Sequence, residues 1–268
     1  MGLIPAAGQP AAEAASAPKV ILPQVGPAGV QEKTSVEPRA PLRAPAALVP
    51  VRVPAAPVLA PPASGPEALP PPERVAAAAT LAELETAIQG CLACPLGANR
   101  IRFVFGEGSP SSKILFIGEG PGRDEDLQGR PFVGKAGELL DKMLGAVGLE
   151  RSQVYIANIV KCRPPDNRTP TSAEAQCCLA YLKRQIELIG PRVIVTLGAT
   201  PLRELLGVDT GITRIRGQWQ RLELLGGIPV MPTFHPAYVL RQYTQEVRRQ
   251  VWADLVAAKK WLDDAEGA

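Results

Sequence analysis

The sequence predicts a three-layer α/β/α fold with a central, mostly parallel four-stranded sheet, and three observations predict it. Four short β-branched runs recur, at residues 113–118 (KILFIG), 154–160 (VYIANIV), 192–197 (RVIVTL) and 228–234 (IPVMPTF). Each is almost continuously apolar, as strands covered on both faces of a parallel sheet are. Each is followed by a turn and a segment of helical periodicity, which is the alternation that parallel crossovers require.

The elements follow in chain order. After the first run, Leu139, Leu140, Met143, Leu144 and Val147 form one apolar stripe at helical spacing. After the second, Thr171 with Glu174 makes a capping-box signal ahead of a stripe of Cys178, Leu182, Ile186 and Ile189. Val251, Leu255 and Leu262 line a last helix. Ligands of such sheets bind at the carboxyl ends of the strands, so the residues just after each run are the candidates for function.

Composition divides the chain. Seventeen of its 29 prolines precede Glu73, in a segment of mostly Ala, Pro and Val with no helical or alternating pattern. Such a segment cannot bury enough surface to offset the entropy of ordering it, so residues 1–75 are expected to form a disordered Pro/Ala-rich tail and residues 76–265 the folded domain. No basic start precedes an apolar core, so the tail is not read as a secretory signal. No stretch approaches the roughly 18 apolar residues of a membrane span. A cytoplasmic monomer is the expectation. The net charge of +3, with both signs intermixed, permits a nucleic-acid partner without indicating one.

Two glycine-rich stretches resemble nucleotide loops and complete neither. Residues 129–135 (GRPFVGK) have Walker A spacing, but Ala136 stands where Ser or Thr should hold magnesium. Residues 118–122 (GEGPG) are GxGxG rather than GxGxxG, and Pro121 removes a backbone N–H that a pyrophosphate would need. Three glycines in five residues still require something to approach this backbone closely.

Five cysteines are present: Cys91 and Cys94 in CLACP, Cys162 in NIVKCRPP, and Cys177 with Cys178 in AEAQCCLA. A CxxC pair with two later cysteines can close a zinc site or an iron–sulfur cluster, or pack as free thiols. Pro95 after the second cysteine, and the absence of a second CxxC knuckle, favour the cluster. A cluster could itself be the active group of a redox or electron-transfer protein. The single histidine, His235, follows the fourth strand in FHPAYVLR, where Pro236 stiffens the turn and a fixed imidazole could act in catalysis. With no second His, a zinc deaminase is excluded.

Taken together, GEGPG followed by GRPFVGKAG, then NIVKCRPP, QIELIGPRVIVTLGA and FHPAYVLR, in that order and with the cysteines, resemble the family 4 uracil-DNA glycosylases, the iron–sulfur type of bacteria and archaea. The resemblance covers about residues 81–262. It implies an α/β/α fold, agreeing with the independent reading above, excision of uracil from DNA as the first step of base excision repair, and a structural [4Fe-4S] cluster held by Cys91, Cys94, Cys162 and Cys178. Cys178 is preferred to Cys177 because it fits the family register and lies on its helix's apolar stripe. The resemblance further implies that Gly118 and Gly120 lie against the flipped base, that Phe132 stacks on it, and that Asn158 reads its Watson–Crick edge. His235 would face uracil O2, and Glu119 would guide the attacking water. GEGPG lacks the aspartate of the GQDPY glycosylases, and Gly122 stands where those enzymes carry a thymine-excluding Tyr, so Glu119 or the loop must exclude thymine. Lys161, Arg163, Arg168 and Arg241 are expected at DNA phosphates, with residues 238–241, beginning at Tyr238, entering the vacated stack. A DNA-binding relative that has lost catalysis is a further alternative.

Overall fold

The computed structural model describes residues 72–266; most of the segment read as a tail, up to residue 71, lies outside the described residues. Three short helices open the domain: α1 (Pro72–Ala77), α2 (Leu81–Ile88) and α3 (Pro95–Asn99). Val75 of α1 and Leu84 and Ile88 of α2 are buried in the core. Thr80 caps α2 by accepting from the Glu83 N–H, and Pro95 begins α3 directly after Cys94, where its fixed φ suits a first helical position.

The remaining elements alternate: β1 (Glu107–Gly108), β2 (Ile114–Gly118), α4 (Arg123–Gln128), α5 (Lys135–Ala146), β3 (Tyr155–Asn158), α6 (Ser172–Ile189), β4 (Val193–Leu197), α7 (Ala199–Leu206), α8 (Ile212–Ile215), β5 (Gln220–Leu222), β6 (Ile228–Thr233), α9 (Pro236–Arg241) and α10 (Gln245–Glu266). The capping box at Thr171 and Glu174 is present at the start of α6, and Val251, Leu255 and Leu262 of α10 are buried.

Among the described residues the sheet has six strands in the order β1-β3-β2-β4-β6-β5. The four expected strands are its parallel centre, pairing in registers such as Gly118 opposite Asn158 and Leu197 opposite Thr233. The correction is at the edges, where β1 and β5 pair antiparallel with β3 and β6. With two and three residues and no apolar run, neither carries the signal that marks a buried strand.

Strand side chains alternate between two cores. Leu115, Ile117, Tyr155, Ala157 and Ile194 pack with α1, α2, α6 and α7. Ile114, Phe116, Ile156, Val193 and Val195 pack with α5, α9 and α10 on the other face. Chain order reverses direction at β2, whose neighbours are β3 on one side and β4 on the other, and this switch point places a crevice beyond its carboxyl end.

Candidate active site

A cleft of about 960 Å³ opens at that point. Its floor is built from residues at or just after the carboxyl ends of the four parallel strands: Glu119 after β2, Asn158 ending β3, Gly198 after β4 and His235 after β6. Phe132, from the loop between α4 and α5, completes the wall.

The glycines of GEGPG are approached by the chain's own side chains. A Cβ on Gly118 would stand 2.4 Å from Asn158 Oδ1 and 2.5 Å from Phe132 Cζ. Gly118 therefore lets the amide and the aromatic ring meet at the strand end. Asn158 is 2 % exposed, and its Oδ1 is buried without a hydrogen-bond partner. An orphaned buried acceptor costs about 1–3 kcal/mol, which a ligand N–H would recover. Phe132 is buried and lies beside His235, with ring centroids 5.6 Å apart. The two glycine-rich loops are joined by Glu125, whose carboxylate accepts from the N–H groups of Gly122 (3.1 Å), Val133 (2.9 Å) and Gly134 (3.0 Å).

His235 caps α9: the Ala237 N–H donates to its Nδ1 at 3.1 Å. A nitrogen that accepts this bond carries no proton, so the neutral ring bears its proton on Nε2. Burial, with the nearby charge of Arg241 adding to it, pushes His235 down to about 4. At neutral pH the side chain is thus an uncharged donor. Glu119 is half-buried, and its Oε2 accepts from Thr200 Oγ1 at 2.6 Å. Thr200 sits in the first turn of α7 and is 5 % exposed.

Cys162 and Cys178 are buried, and Cys91, Cys94 and Cys177 half-buried; all five are free thiols. Ala93 N–H donates to Cys91 Sγ at 3.4 Å, Tyr181 Oη lies 3.2 Å from the same sulfur, and Arg100 Nη1 donates to Cys162 Sγ at 3.4 Å. Burial pushes Cys162 up to about 11 and Cys178 up to about 12. Cys177 turns toward the carbonyl of Ala93, 3.7 Å away. Among the described residues no three His, Cys, Asp or Glu side chains gather closely enough to hold one metal ion.

Of the cations expected at phosphates, Arg168 and Arg241 line the cleft, as does Tyr238, whose ring is tilted against Phe234 with centroids 4.8 Å apart. Arg168 is held by Glu174 through bonds of 2.7 and 2.8 Å. Arg163 is half-buried outside the cleft lining and donates to Asn167 Oδ1. Lys161 is a correction: it is 0 % exposed and cannot touch a phosphate. Its ammonium donates to the Asn158 carbonyl (2.9 Å) and Gln185 Oε1 (2.6 Å), and burial lowers it to about 7. A lysine beside a cysteine in a strand-to-loop segment carries no sequence signal that separates these two fates.

Sequence reasoning missed Thr200, Glu125 and the cleft cations Arg123, Lys135 and Arg203. Glu125 had a legible signal, since it stands three residues after Gly122, at the capping-box position of α4. Thr200 had none, because only the fold brings it to Glu119.

The profile of the Uracil DNA glycosylase superfamily matches residues 105–256. A Type-4 uracil-DNA glycosylase of Thermotoga maritima is 50% identical over 176 residues, covering 65% of this chain and 91% of that protein. A Type-4 uracil-DNA glycosylase of Archaeoglobus fulgidus is 43% identical over 180 residues, covering 65% and 89%. A Type-5 uracil-DNA glycosylase of Pyrobaculum aerophilum is 29% identical over 145 residues, covering 48% and 63%. With the cleft at the switch point and the motifs lining it, the chain belongs to the uracil-DNA glycosylase superfamily, in its family 4.

Proposed function

We propose that this chain is a monofunctional uracil-DNA glycosylase that draws a deoxyuridine out of DNA and hydrolyses its N-glycosidic bond. The observation that supports it best is the meeting of the Phe132 ring and the orphaned Asn158 Oδ1 at Gly118, with the neutral His235 beside the Phe132 ring. Uracil offers an N3–H donor and an O4 acceptor, which match the Oδ1 and Nδ2 of one asparagine. Cytosine presents an unprotonated N3 and an amino group there, so the same amide meets acceptor with acceptor and donor with donor. Phe132 stacks on the base, an interaction of about 1–3 kcal/mol.

As the C1′–N1 bond breaks, its electron pair departs with the base, and negative charge collects on O2. His235 Nε2–H donates to that oxygen as a preformed, uncharged oxyanion donor. The sugar passes through an oxocarbenium-like state, a water oxygen bonds to C1′, and Glu119, fixed by Thr200, takes the water proton. Extrusion of the nucleotide costs a few kcal/mol, least at a mispair, which favours uracil opposite guanine. Arg163, Arg168 and Arg241 supply phosphate contacts, with residues 238–241 occupying the vacated stack. Leu240, 39% exposed, is the apolar side chain of that segment that faces solvent.

The donor set suits an iron–sulfur cluster. Cys91 and Cys94 share the CxxC turn before α3, Cys162 comes from the loop after β3 and Cys178 from α6, none is consumed in a disulfide, and a cluster takes one thiolate on each iron. When bound, the [4Fe-4S] group supplies a cross-link among the segments around α3, the loop after β3 and α6. No helix among the described residues is long and apolar enough to cross a membrane; a cytoplasmic monomer is the proposed state. The test is incubation with a duplex holding one uracil and detection of free base by mass. Release of uracil and an intact abasic strand are expected, and a strand with its uracil retained would overturn the proposal.

A further inference from the structure

The backbone of Phe132 has φ 51°, a left-handed value that an aromatic residue keeps only where its surroundings hold it. Part of that hold is steric: a Cβ on Gly137 would stand 1.8 Å from the Phe132 carbonyl oxygen, so only glycine fits there. The other part comes from outside the cleft. Arg151, in the single 3-10 turn before β3, donates Nη1 to the Phe132 carbonyl at 3.2 Å and Nη2 to the Pro131 carbonyl. Its remaining bonds go to Glu107 Oε1 (3.2 Å) and Asp141 Oδ1 (3.0 Å), and 19% of its side chain is exposed. Glu107, on β1, also takes a two-point ion pair from Arg130, both bonds being 2.7 Å. Residues 130, 131 and 132 are thus fastened in succession to one edge strand, directly and through Arg151.

We propose that Arg151 is a positioning residue for base recognition, setting the Phe132 ring by holding the two carbonyls of its turn. The inference rests on the reading that Phe132 stacks on uracil. Two of the four groups that Arg151 bonds are the carbonyls of the Phe132 turn itself, so its loss falls first on that turn. A planar guanidinium spans two adjacent carbonyls, whereas a lysine ammonium satisfies one.

The experiment measures inhibition by free uracil, affinity for an abasic-site duplex, kcat and melting temperature for Arg151→Met, Arg151→Lys, Glu107→Gln, Phe132→Leu and the Arg151→Met/Phe132→Leu double variant. Loss of base stacking should weaken free-uracil inhibition by about 10- to 100-fold in Phe132→Leu. Arg151→Met should approach that loss, Arg151→Lys should fall between it and wild type, and the double variant should lose little more than either alone. Abasic-duplex affinity should stay near wild type, while melting falls modestly in Arg151→Met, which leaves partly buried carbonyls without a donor, and in Phe132→Leu, which trims a buried ring. If Phe132→Leu weakens uracil while Arg151→Met and Glu107→Gln do not, the positioning role is wrong. If Phe132→Leu leaves uracil inhibition unchanged, the stacking reading fails and this proposal fails with it. Should Arg151→Met not fold, Arg151→Lys and Glu107→Gln carry the same comparison, and wild-type inhibition in both would overturn it.

Discussion

Substituting Gly118 with alanine adds one methyl group at the point where the proposed base-reading groups meet. Gly118 has an ordinary negative φ, so the effect is contact alone and not backbone strain. The new Cβ would lie 2.4 Å from Asn158 Oδ1, 2.5 Å from Phe132 Cζ and 2.7 Å from Phe132 Cε2. Both neighbours would have to retreat by about 1 Å to regain van der Waals contact. Neither can do so freely, since Asn158 is buried at a strand end and the Phe132 carbonyl abuts Gly137. Overpacking of this kind costs about 1–3 kcal/mol in stability. Misplacing catalytic contacts by about 1 Å costs about 10²-fold in rate. Single-turnover excision from a labelled uracil duplex should therefore fall about 10²-fold in G118A, while affinity for an abasic duplex and melting change modestly. A G118A rate within about twofold of wild type would refute the placement of the base against this backbone.

The other predictions concern His235, the cleft cations and the cysteines. His235→Ala should lower kcat by about 10²–10³-fold, the usual loss for one oxyanion donor. Because the proposed donor His235 is a neutral ring with its proton-binding lowered to about 4, the acid limb of its contribution should fall near that value and not near the usual 6.5 or so. The sign is that of a depressed group: the unfolded chain binds the proton more readily, so His235 stabilises the fold fully above about pH 6.5 and loses that contribution as pH falls toward 4. A kcat profile rising as His235 protonates would contradict it. Neutralising Arg241 or Arg168 should reduce the slope of log affinity against log salt by about one per true phosphate contact, whereas Lys161→Met should leave the slope unchanged and alter melting instead. Cys178→Ala should abolish the visible absorbance of the purified protein and Cys177→Ala should retain it; the reverse pattern would move the fourth ligand to Cys177.

The legible part of this fold was its parallel centre, because strands buried on both faces write themselves as apolar runs: residues 114–118 are buried without exception. The edge strands were not legible, since Glu107–Gly108 and Gln220–Leu222 are held by pairing and not by their own pattern. Residues at strand ends were found the same way: Glu119, Asn158 and His235 reach one cleft because the sheet brings its carboxyl ends together. What could not be read was the second partner of each contact. Thr200 lies 81 residues from Glu119, and Arg151 lies 19 from Phe132. Lys161 shows the limit most plainly, because burial and not residue type decides whether an ammonium meets a phosphate or the carbonyl of Asn158.

The central claim is most directly tested by incubating the purified full chain, without magnesium or nucleotide, with end-labelled oligonucleotides that differ only in holding one uracil, one thymine or neither. Alkali-sensitive breakage at the uracil alone is the predicted result. An intact uracil strand from a well-folded protein would contradict the account.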